Sequence, residues 1–319
     1  MDAAAEGDVV VVGPGVYAEQ VVAAKSNVTI LAHGATWDGG SGSCLDLQGD
    51  GNTVAGFRFE NGADQVVMTG TDATVSHCTS TDASGSFCVI QGDGAAVLNC
   101  RVAGSGDAGV AVDGTGSLVS RVRVTACDGT GIEVTGDGSM VTGCRVEGGA
   151  DGGIDVTGDG CSISGAKVLA TASFGISLQG DDGSVVRCLA IQSGSAGGAG
   201  FVIAGAGNEI RSDHAVNCSS DGFSIEGSDN DCTQDTATNC EDDGFDIQFG
   251  ANVGLTACLA AHNGEEGVEN GGTDTDTSRC RFIANQIDLA LDGSLGASFG
   301  SISSTNFATG SILTVVEGD

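Results

Sequence analysis

A repeat of 22 residues governs the middle of this 319-residue sequence. Segments that begin at Gly109, Gly131 and Gly153 align without gaps, and each opens with glycine followed by alternating apolar and polar residues. Further units begin at Gly175, Gly200, Gly222, Gly244 and Gly267. One spacing is 25 and one is 23, and the others are 22. A fixed period of this size is typical of a solenoid, in which each unit packs against its neighbours.

The pattern inside one unit indicates short strands. The first and third residues after the glycine are apolar, as at Ile132 and Val134, and the residues between them are polar. This period of two is typical of a half-buried strand, and no stretch shows the 3.6-residue period of a helix. A Gly-Asp-Gly turn, a second alternating stretch and another glycine-rich bend complete the unit. The sequence therefore predicts an all-β, parallel β-helix of roughly 14 coils. We expect one domain over residues 1–319, regular over about 44–287 and irregular at both ends.

Equivalent residues of successive units predict the core. Phe201, Phe223 and Phe245 share one register and should form an inward aromatic stack. Two further registers carry cysteines, namely Cys78, Cys100, Cys144, Cys188 and Cys280 in one, and Cys127, Cys218 and Cys240 in the other. Asn263 and Asn285 continue the second of these columns. The 13 cysteines contain no C-x-x-C and no Cys/His spacing typical of zinc, which favours small buried ladder residues over a metal or redox site. Their disulfide state stays open.

Composition excludes several classes of protein. With 55 glycines but one proline the chain is not collagen, and 40% apolar residues argue against disorder. The formal net charge of −32 argues against a nucleic-acid partner, because DNA binding needs a basic face. No apolar run approaches the roughly 18 residues of a transmembrane segment. The residues after Met1 do not form a signal peptide.

Acidic residues gather in the later units and predict a metal site. Asp242, Asp243 and Asp246 are neighbours in one unit, and Asp221 precedes the glycine of the unit before it. Strand spacing would hold these carboxylates within about 5 Å of one another, and their repulsion would raise their pKa values. Calcium, which prefers six to eight oxygen ligands, would neutralise them. The alternative is a solvated acidic edge.

Basic residues form a second column, with Arg101, Arg123, Arg145 and Lys167 spaced by 22. Like charges on neighbouring strands destabilise a sheet, so we expect a counter-charge. An acidic polysaccharide bound across these four residues would supply it. Glu147 and other local acids would do so equally well.

Two resemblances sharpen these expectations. The repeat, and the opening EGDVVVVGPGVY, resemble the pectin-lyase-like superfamily, which implies a right-handed β-helix and a secreted or cell-surface protein. The strings SDGFSIEG, TATNCEDDGFDI and HNGEEGVENGG, within about 208–272, resemble the calcium-site coils of family-nine pectate lyases. That resemblance implies Asp221, Asp242, Asp243 and Asp246 as calcium ligands and acidic polysaccharide as the substrate.

One position departs from that family. Glu269 stands where the family carries its catalytic lysine, so the sequence names no catalytic base. Arg211 and His214, one coil before the acidic cluster, are the nearest substitutes. Three hypotheses follow: a calcium-dependent polysaccharide lyase or uronate-modifying enzyme, a non-catalytic protein that binds calcium and carbohydrate, and a structural or adhesive β-helix.

Overall fold

The structure is a computed structural model that describes residues 4–287 and the strand segments 290–291, 298–299 and 303–304. Its contacts divide the chain into two compact units, residues 1–157 and 158–319. In the described part every regular element is a β-strand. That part contains no helix long and apolar enough to cross a membrane.

The first unit has three parallel sheets, and the chain passes through sheets A, B and C in turn. Sheet A consists of β1 (Val9–Val12), β4 (Thr29–Ala32), β7 (Thr53–Ala55), β10 (Thr74–Ser76), β13 (Ala96–Leu98), β16 (Leu118–Ser120) and β19 (Met140–Thr142). Sheet B consists of β2 (Gly15–Tyr17), β5 (Ala35–Asp38), β8 (Arg58–Glu60), β11 (Thr79–Ala83), β14 (Arg101–Ser105), β17 (Arg123–Cys127) and β20 (Arg145–Gly149). Sheet C consists of β3 (Val21–Ala23), β6 (Leu45–Gln48), β9 (Val66–Thr69), β12 (Cys88–Gln91), β15 (Val110–Asp113), β18 (Thr130–Thr135) and β21 (Gly152–Thr157).

The second unit repeats this order of sheets. Its sheet A consists of β22 (Ser162–Ser164), β25 (Ser184–Val186), β28 (Glu209–Arg211), β31 (Asp231–Thr233), β34 (Gly254–Thr256), β37 (Asp276–Ser278) and β40 (Ser298–Phe299). Its sheet B consists of β23 (Lys167–Leu169), β26 (Leu189–Ile191), β29 (His214–Val216), β32 (Thr236–Thr238), β35 (Leu259–Ala261), β38 (Arg281–Ile283) and β41 (Ser303–Ser304). Its sheet C consists of β24 (Phe174–Gln179), β27 (Phe201–Ala204), β30 (Phe223–Glu226), β33 (Phe245–Phe249), β36 (Val268–Asn270) and β39 (Ala290–Leu291).

Strand pairing follows the sequence period. Val97 on β13 pairs in parallel with Val75 and with Val119, each one unit away along the sequence. The predicted parallel β-helix with a 22-residue repeat is confirmed within each unit. Each sheet has seven strands in the first unit and six or seven described strands in the second. These numbers agree with the roughly 14 coils that the sequence predicts. The irregular C-terminal coils that the sequence predicts lie largely outside the described residues.

The core consists of the inward-facing residues of each strand. The predicted aromatic stack is confirmed, because the ring centroids of Phe201 and Phe223 lie 4.7 Å apart and those of Phe223 and Phe245 lie 4.8 Å apart. All 13 cysteines are buried thiols, as expected of ladder residues. The backbone N–H of Asn263 donates to Asn285 Oδ1 at 3.0 Å, which continues the second cysteine column as an asparagine ladder.

The glycine that opens each unit is required by close packing between coils. A Cβ atom added to Gly222 would lie 2.6 Å from the carbonyl oxygen of Gly244 and 2.5 Å from the Cβ of Ala237. Both distances are shorter than van der Waals contact, so any larger residue would push neighbouring coils apart. This packing explains why the glycine returns with the period of the fold.

The Gly-Asp-Gly turns explain part of the acidic composition. Asp93 Oδ1 accepts a hydrogen bond from the backbone N–H of Thr115 on the next coil at 2.8 Å, and this bond lowers the pKa of the Asp93 carboxyl. Asp159 Oδ1 accepts the equivalent bond from Asp181 at 2.9 Å. These carboxylates satisfy backbone donors that the turn would otherwise leave unpaired.

Candidate functional site

A shallow pocket of about 330 Å³ on the first unit is lined by cationic and polar side chains. It lies at the bend between sheets A and B, where strands of sheet B begin. The lining side chains that reach solvent are His77, Thr79, Asn99, Arg101, Arg121 and Arg123. We refer to these six residues as the cationic pocket.

Two backbone positions of each coil bring these side chains together. Arg101 and Arg123 begin β14 and β17 and pair directly, so their Cα atoms are about 4.8 Å apart. Arg121 lies in the preceding bend with φ 53°, in the left-handed region that L-residues seldom adopt. Gly143 occupies the same bend position one coil later with φ 62°. The alternation of strand and bend therefore places Arg121 beside the two strand arginines.

Ion pairs account for only part of the predicted basic column. Arg145 lies 3.2 Å from Glu147, and Arg123 lies 3.9 Å from the same carboxylate. Glu147 is thus the local counter-charge that the sequence offered as an alternative to a bound polyanion. Among the described residues no ion pair includes Arg101 or Arg121, so the cationic pocket keeps uncompensated charge.

The fourth residue of the predicted basic column, Lys167, is less exposed than Arg101 and Arg123. Lys167 begins β23 in the second unit, where it pairs with Leu189 and is half-buried. It does not line the cationic pocket.

Sequence reasoning missed His77, Asn99 and Arg121, which precede the strand column by two residues. They recur with the same spacing of 22, so the signal was present in the sequence. It was hidden because a bend position shows no apolar alternation.

A second pocket on the first unit, of about 230 Å³, has the opposite character. Its polar lining comes from Gln91, Asp113, Glu133 and Thr135 on sheet C. Burial raises the pKa of the Glu133 carboxyl, and the charge of Asp155 on the next strand adds to the effect. The two pockets of the first unit therefore carry side chains of opposite charge.

Of the predicted metal residues, Asp221, Asp242 and Asp243 lie at the bend between sheets B and C of the second unit, and Asp246 lies on β33 of sheet C. Asp221 Oδ1 accepts a hydrogen bond from the backbone N–H of Asp243 at 3.1 Å. Asp243 Oδ1 in turn accepts one from the backbone N–H of Glu266 at 2.7 Å. These carboxylates therefore form a column in which each satisfies an amide of the next coil.

One group of carboxylates at this bend is compact enough to share a cation. Single oxygen atoms of Asp243, Glu265 and Glu266 all lie within 4.8 Å of one another. Two oxygens that bind one calcium at 2.3–2.6 Å are at most about 5 Å apart, so this set of hard oxygens fits a calcium ion as a partial shell. Of the four predicted ligands, Asp243 alone belongs to the group. Glu265 was not a candidate in the sequence.

Burial and neighbouring negative charge raise the pKa values of three predicted ligands, Asp221, Asp243 and Asp246. Burial raises the pKa of Asp243 to about 9, and burial together with the charge of Asp242 raises the pKa of Asp221. Burial also raises the pKa of Asp246 to about 6, and the charges of Asp221 and Glu269 contribute. In the described part of the chain no ion pair offsets these acids.

Arg211 and His214, the nearest substitutes for the family's catalytic lysine, lie on other sheets than Asp246. Glu269, at the position of that lysine, is exposed on β36 and pairs with Asp246 on sheet C. Arg211 is on sheet A, 3.4 Å from Glu209, and His214 is exposed on sheet B. Neither side chain projects from the sheet that carries Asp246, so the structure brings no base of this kind to the acidic cluster.

Comparison with known proteins supports the fold. Residues 19–168 match a family model described as a right handed beta helix region. An alginate lyase, AlyF-OU02, is 12% identical with a TM-score of 0.62, covering 96% of this chain and 81% of that chain. The periplasmic alginate epimerase AlgG is 13% identical with a TM-score of 0.55, covering 91% and 78%. The tailspike protein of E. coli bacteriophage HK620 is 11% identical with a TM-score of 0.57, covering 87% and 60%.

The comparison with curated proteins gives no match. At the identities found among solved structures, the likeness shows the fold. Together with the parallel coils of each unit, the matches show a right-handed parallel β-helix fold.

Proposed function

We propose that this protein binds and acts on an acidic polysaccharide, and that the cationic pocket holds the carboxylates of the chain. The observation that carries the proposal is the uncompensated charge of Arg101 and Arg121 in a protein with 11 basic and 43 acidic residues. Isolated arginines in such a chain would normally be neutralised by its many acids. Guanidinium groups bind carboxylates through two parallel hydrogen bonds, which suits a uronate.

The arrangement also fits a polymer. Arg101 and Arg123 repel each other from adjacent strands, and an anion between them would relieve that repulsion. The fold supports this reading by analogy, because an alginate lyase and an alginate epimerase share it and alginate is an acidic polysaccharide. That epimerase is periplasmic, which supports a secreted or cell-surface location for this protein.

The acidic bend is proposed as a calcium site in the second unit. Asp243, Glu265 and Glu266 would supply oxygen ligands, and Asp221, Asp242 and Asp246 would contribute negative charge. Bound calcium would neutralise a substrate carboxylate and make the adjacent C–H proton more acidic, which is the requirement of a lyase. Release of unsaturated uronate, followed by ultraviolet absorbance, distinguishes a lyase from a protein that only binds.

Replacing Arg121 with glycine is expected to weaken binding to a polyuronate without weakening the fold. The variant removes a charge-assisted hydrogen bond, which corresponds to a roughly tenfold or larger loss of affinity at low salt. Because Arg121 has φ 53°, glycine relieves backbone strain, and the free energy of unfolding should stay within about 1 kcal/mol. Isothermal titration with oligouronates and thermal melting measure the two effects.

Arg187→Gly is the matched control. Arg187 occupies the same kind of bend in the second unit, with φ 56°, and is also exposed. It should keep the affinity of the wild type. An equal loss of affinity in both variants, or no loss in Arg121→Gly, would contradict the proposed function of the pocket.

A further inference from the structure

A β-bulge in β33 exposes an aromatic ring on sheet C of the second unit. Ile225 pairs with Ile247, whereas the next residue, Glu226, pairs with Phe249, so Gln248 is the extra residue. Without the bulge, the alternation that buries Phe245 and Ile247 would turn residue 249 inward. The bulge reverses this direction, and the ring of Phe249 is 58% exposed.

This exposure is unusual for the molecule. Among the residues whose side chains are described, every other aromatic ring is buried or half-buried. Bulges are common beside functional sites, where they redirect one side chain. A single exposed apolar residue is ordinary by itself, so its surroundings decide whether it has a function.

The surroundings of Phe249 are rich in hydrogen-bonding groups. Gln248 Nε2 donates to Ser224 Oγ at 3.1 Å across the bulge. Asp246 projects from the same strand, and Glu226 pairs directly with Phe249 from the preceding one. An apolar ring is therefore flanked by carboxylate acceptors, and no described ion pair places a cation among them.

This combination matches the two sides of an uncharged pyranose. One face of such a sugar presents C–H groups, which pack on an aromatic ring, and its edge presents hydroxyls, which donate to carboxylates and amides. A uronate carboxylate would instead be repelled by Glu226, which pairs directly with Phe249. Hydroxyl donors are thus favoured over anionic groups at this position.

We propose that Phe249, with Glu226 and Gln248, forms a subsite for a neutral sugar unit. The inference rests on the proposed polysaccharide function and extends it, because the ligand would then contain uncharged sugars as well as acidic ones. The cationic pocket then holds acidic sugars of the ligand, and the Phe249 subsite holds a neutral one.

The test is affinity electrophoresis of the full chain in gels that contain a neutral glucan, a neutral galactomannan or a polyuronate. Wild-type protein should be retarded by at least one neutral polymer. Phe249→Ala should weaken that retardation about five- to tenfold, and Phe249→Trp should preserve it, since stacking depends on the ring. Melting temperature should be unchanged, because the ring is exposed.

Met140→Ala is the control, since Met140 is also an exposed apolar side chain, 48% exposed. It should leave every retardation unchanged. Equal retardation of Phe249→Ala and wild type, or retardation by polyuronate alone, overturns the subsite and leaves the proposed function standing. Absence of retardation in all three gels overturns both.

Discussion

Replacing Asp235 with asparagine is expected to stabilise the protein by several kcal/mol at pH 8 and by much less at pH 5. Asp213 and Asp235 are completely buried on adjacent coils, in the column that carries Cys188 and Cys258 elsewhere. Burial raises the pKa of Asp213 to about 7 and that of Asp235 to about 8. Both carboxyls therefore fold most favourably in the protonated form.

The hydrogen bonds explain why Asp235 is the more costly of the two. Asp213 accepts bonds from the backbone N–H groups of Cys188 and Arg211, and its own N–H donates to Asp235 Oδ1 at 2.8 Å. Asp235 Oδ2 is buried without a partner. A negative charge on Asp235 is thus poorly compensated, whereas an amide would be neutral at every pH.

The direction of the pH dependence follows from the raised pKa values. The folded state retains protons that the unfolded state loses above its carboxyl pKa near 4. The contribution of these two carboxyls to the free energy of unfolding is therefore fully present below pH 4 and is lost as the pH rises towards 8. One pKa unit corresponds to about 1.4 kcal/mol, so ionising Asp235 inside the fold should cost on the order of 5 kcal/mol.

Denaturant unfolding of wild type and Asp235→Asn at pH 5 and pH 8 measures this effect. Wild type should lose stability between the two pH values, and the variant should lose clearly less. Asp231→Asn, an exposed change of equal charge on the same coil, should keep most of the wild-type pH dependence, because the charge of Asp231 is a minor cause of the raised pKa of Asp235. If Asp231→Asn flattens the profile as much as Asp235→Asn, net charge rather than the buried pair causes the dependence.

Calcium is expected to raise the melting temperature through the bend that contains Asp243. A ligand that binds only the folded state stabilises it by about 2.7 kcal/mol when present at 100 times its dissociation constant. Asp243→Asn keeps an oxygen that can accept the Glu266 N–H but removes a charged ligand. The variant should therefore fold and lose most of the calcium-induced shift.

Glu241→Gln is the control for calcium. Glu241 is exposed, lies two residues from Asp243, and is not in the compact group of carboxylates. Its variant should retain the shift that calcium produces and chelator reverses. If neither calcium nor chelator changes the melting temperature of the wild type, the acidic bend is an ordinary solvated edge.

The sequence predicted the parts of the molecule that obey its period. The stack of Phe201, Phe223 and Phe245 follows from one register of a repeated unit, and each coil reproduces it. Phe249 could not be predicted, because one extra residue reverses the inside–outside alternation after Ile247. A bulge depends on local backbone geometry that a periodic pattern does not contain.

The candidate sites were predictable to a lesser degree. Arg101 and Arg123 followed from their spacing, but Arg121 required knowledge of a left-handed bend that folds back beside the strand. Glu265 joined Asp243 for a similar reason, since both lie in bends whose direction the sequence does not specify. The sequence period predicts which residues share a column, but the direction of the bends determines which columns lie side by side.

Arginine modification measures whether a uronate binds in the cationic pocket. The protein is treated with phenylglyoxal in the presence and absence of an oligouronate, and the rate at each arginine is read by peptide mass spectrometry. We expect the oligouronate to slow modification of Arg101 and Arg121, while the exposed Arg187 and Arg279 react at unchanged rates. Equal rates at all four arginines with and without the sugar, under conditions where it binds, would contradict this expectation.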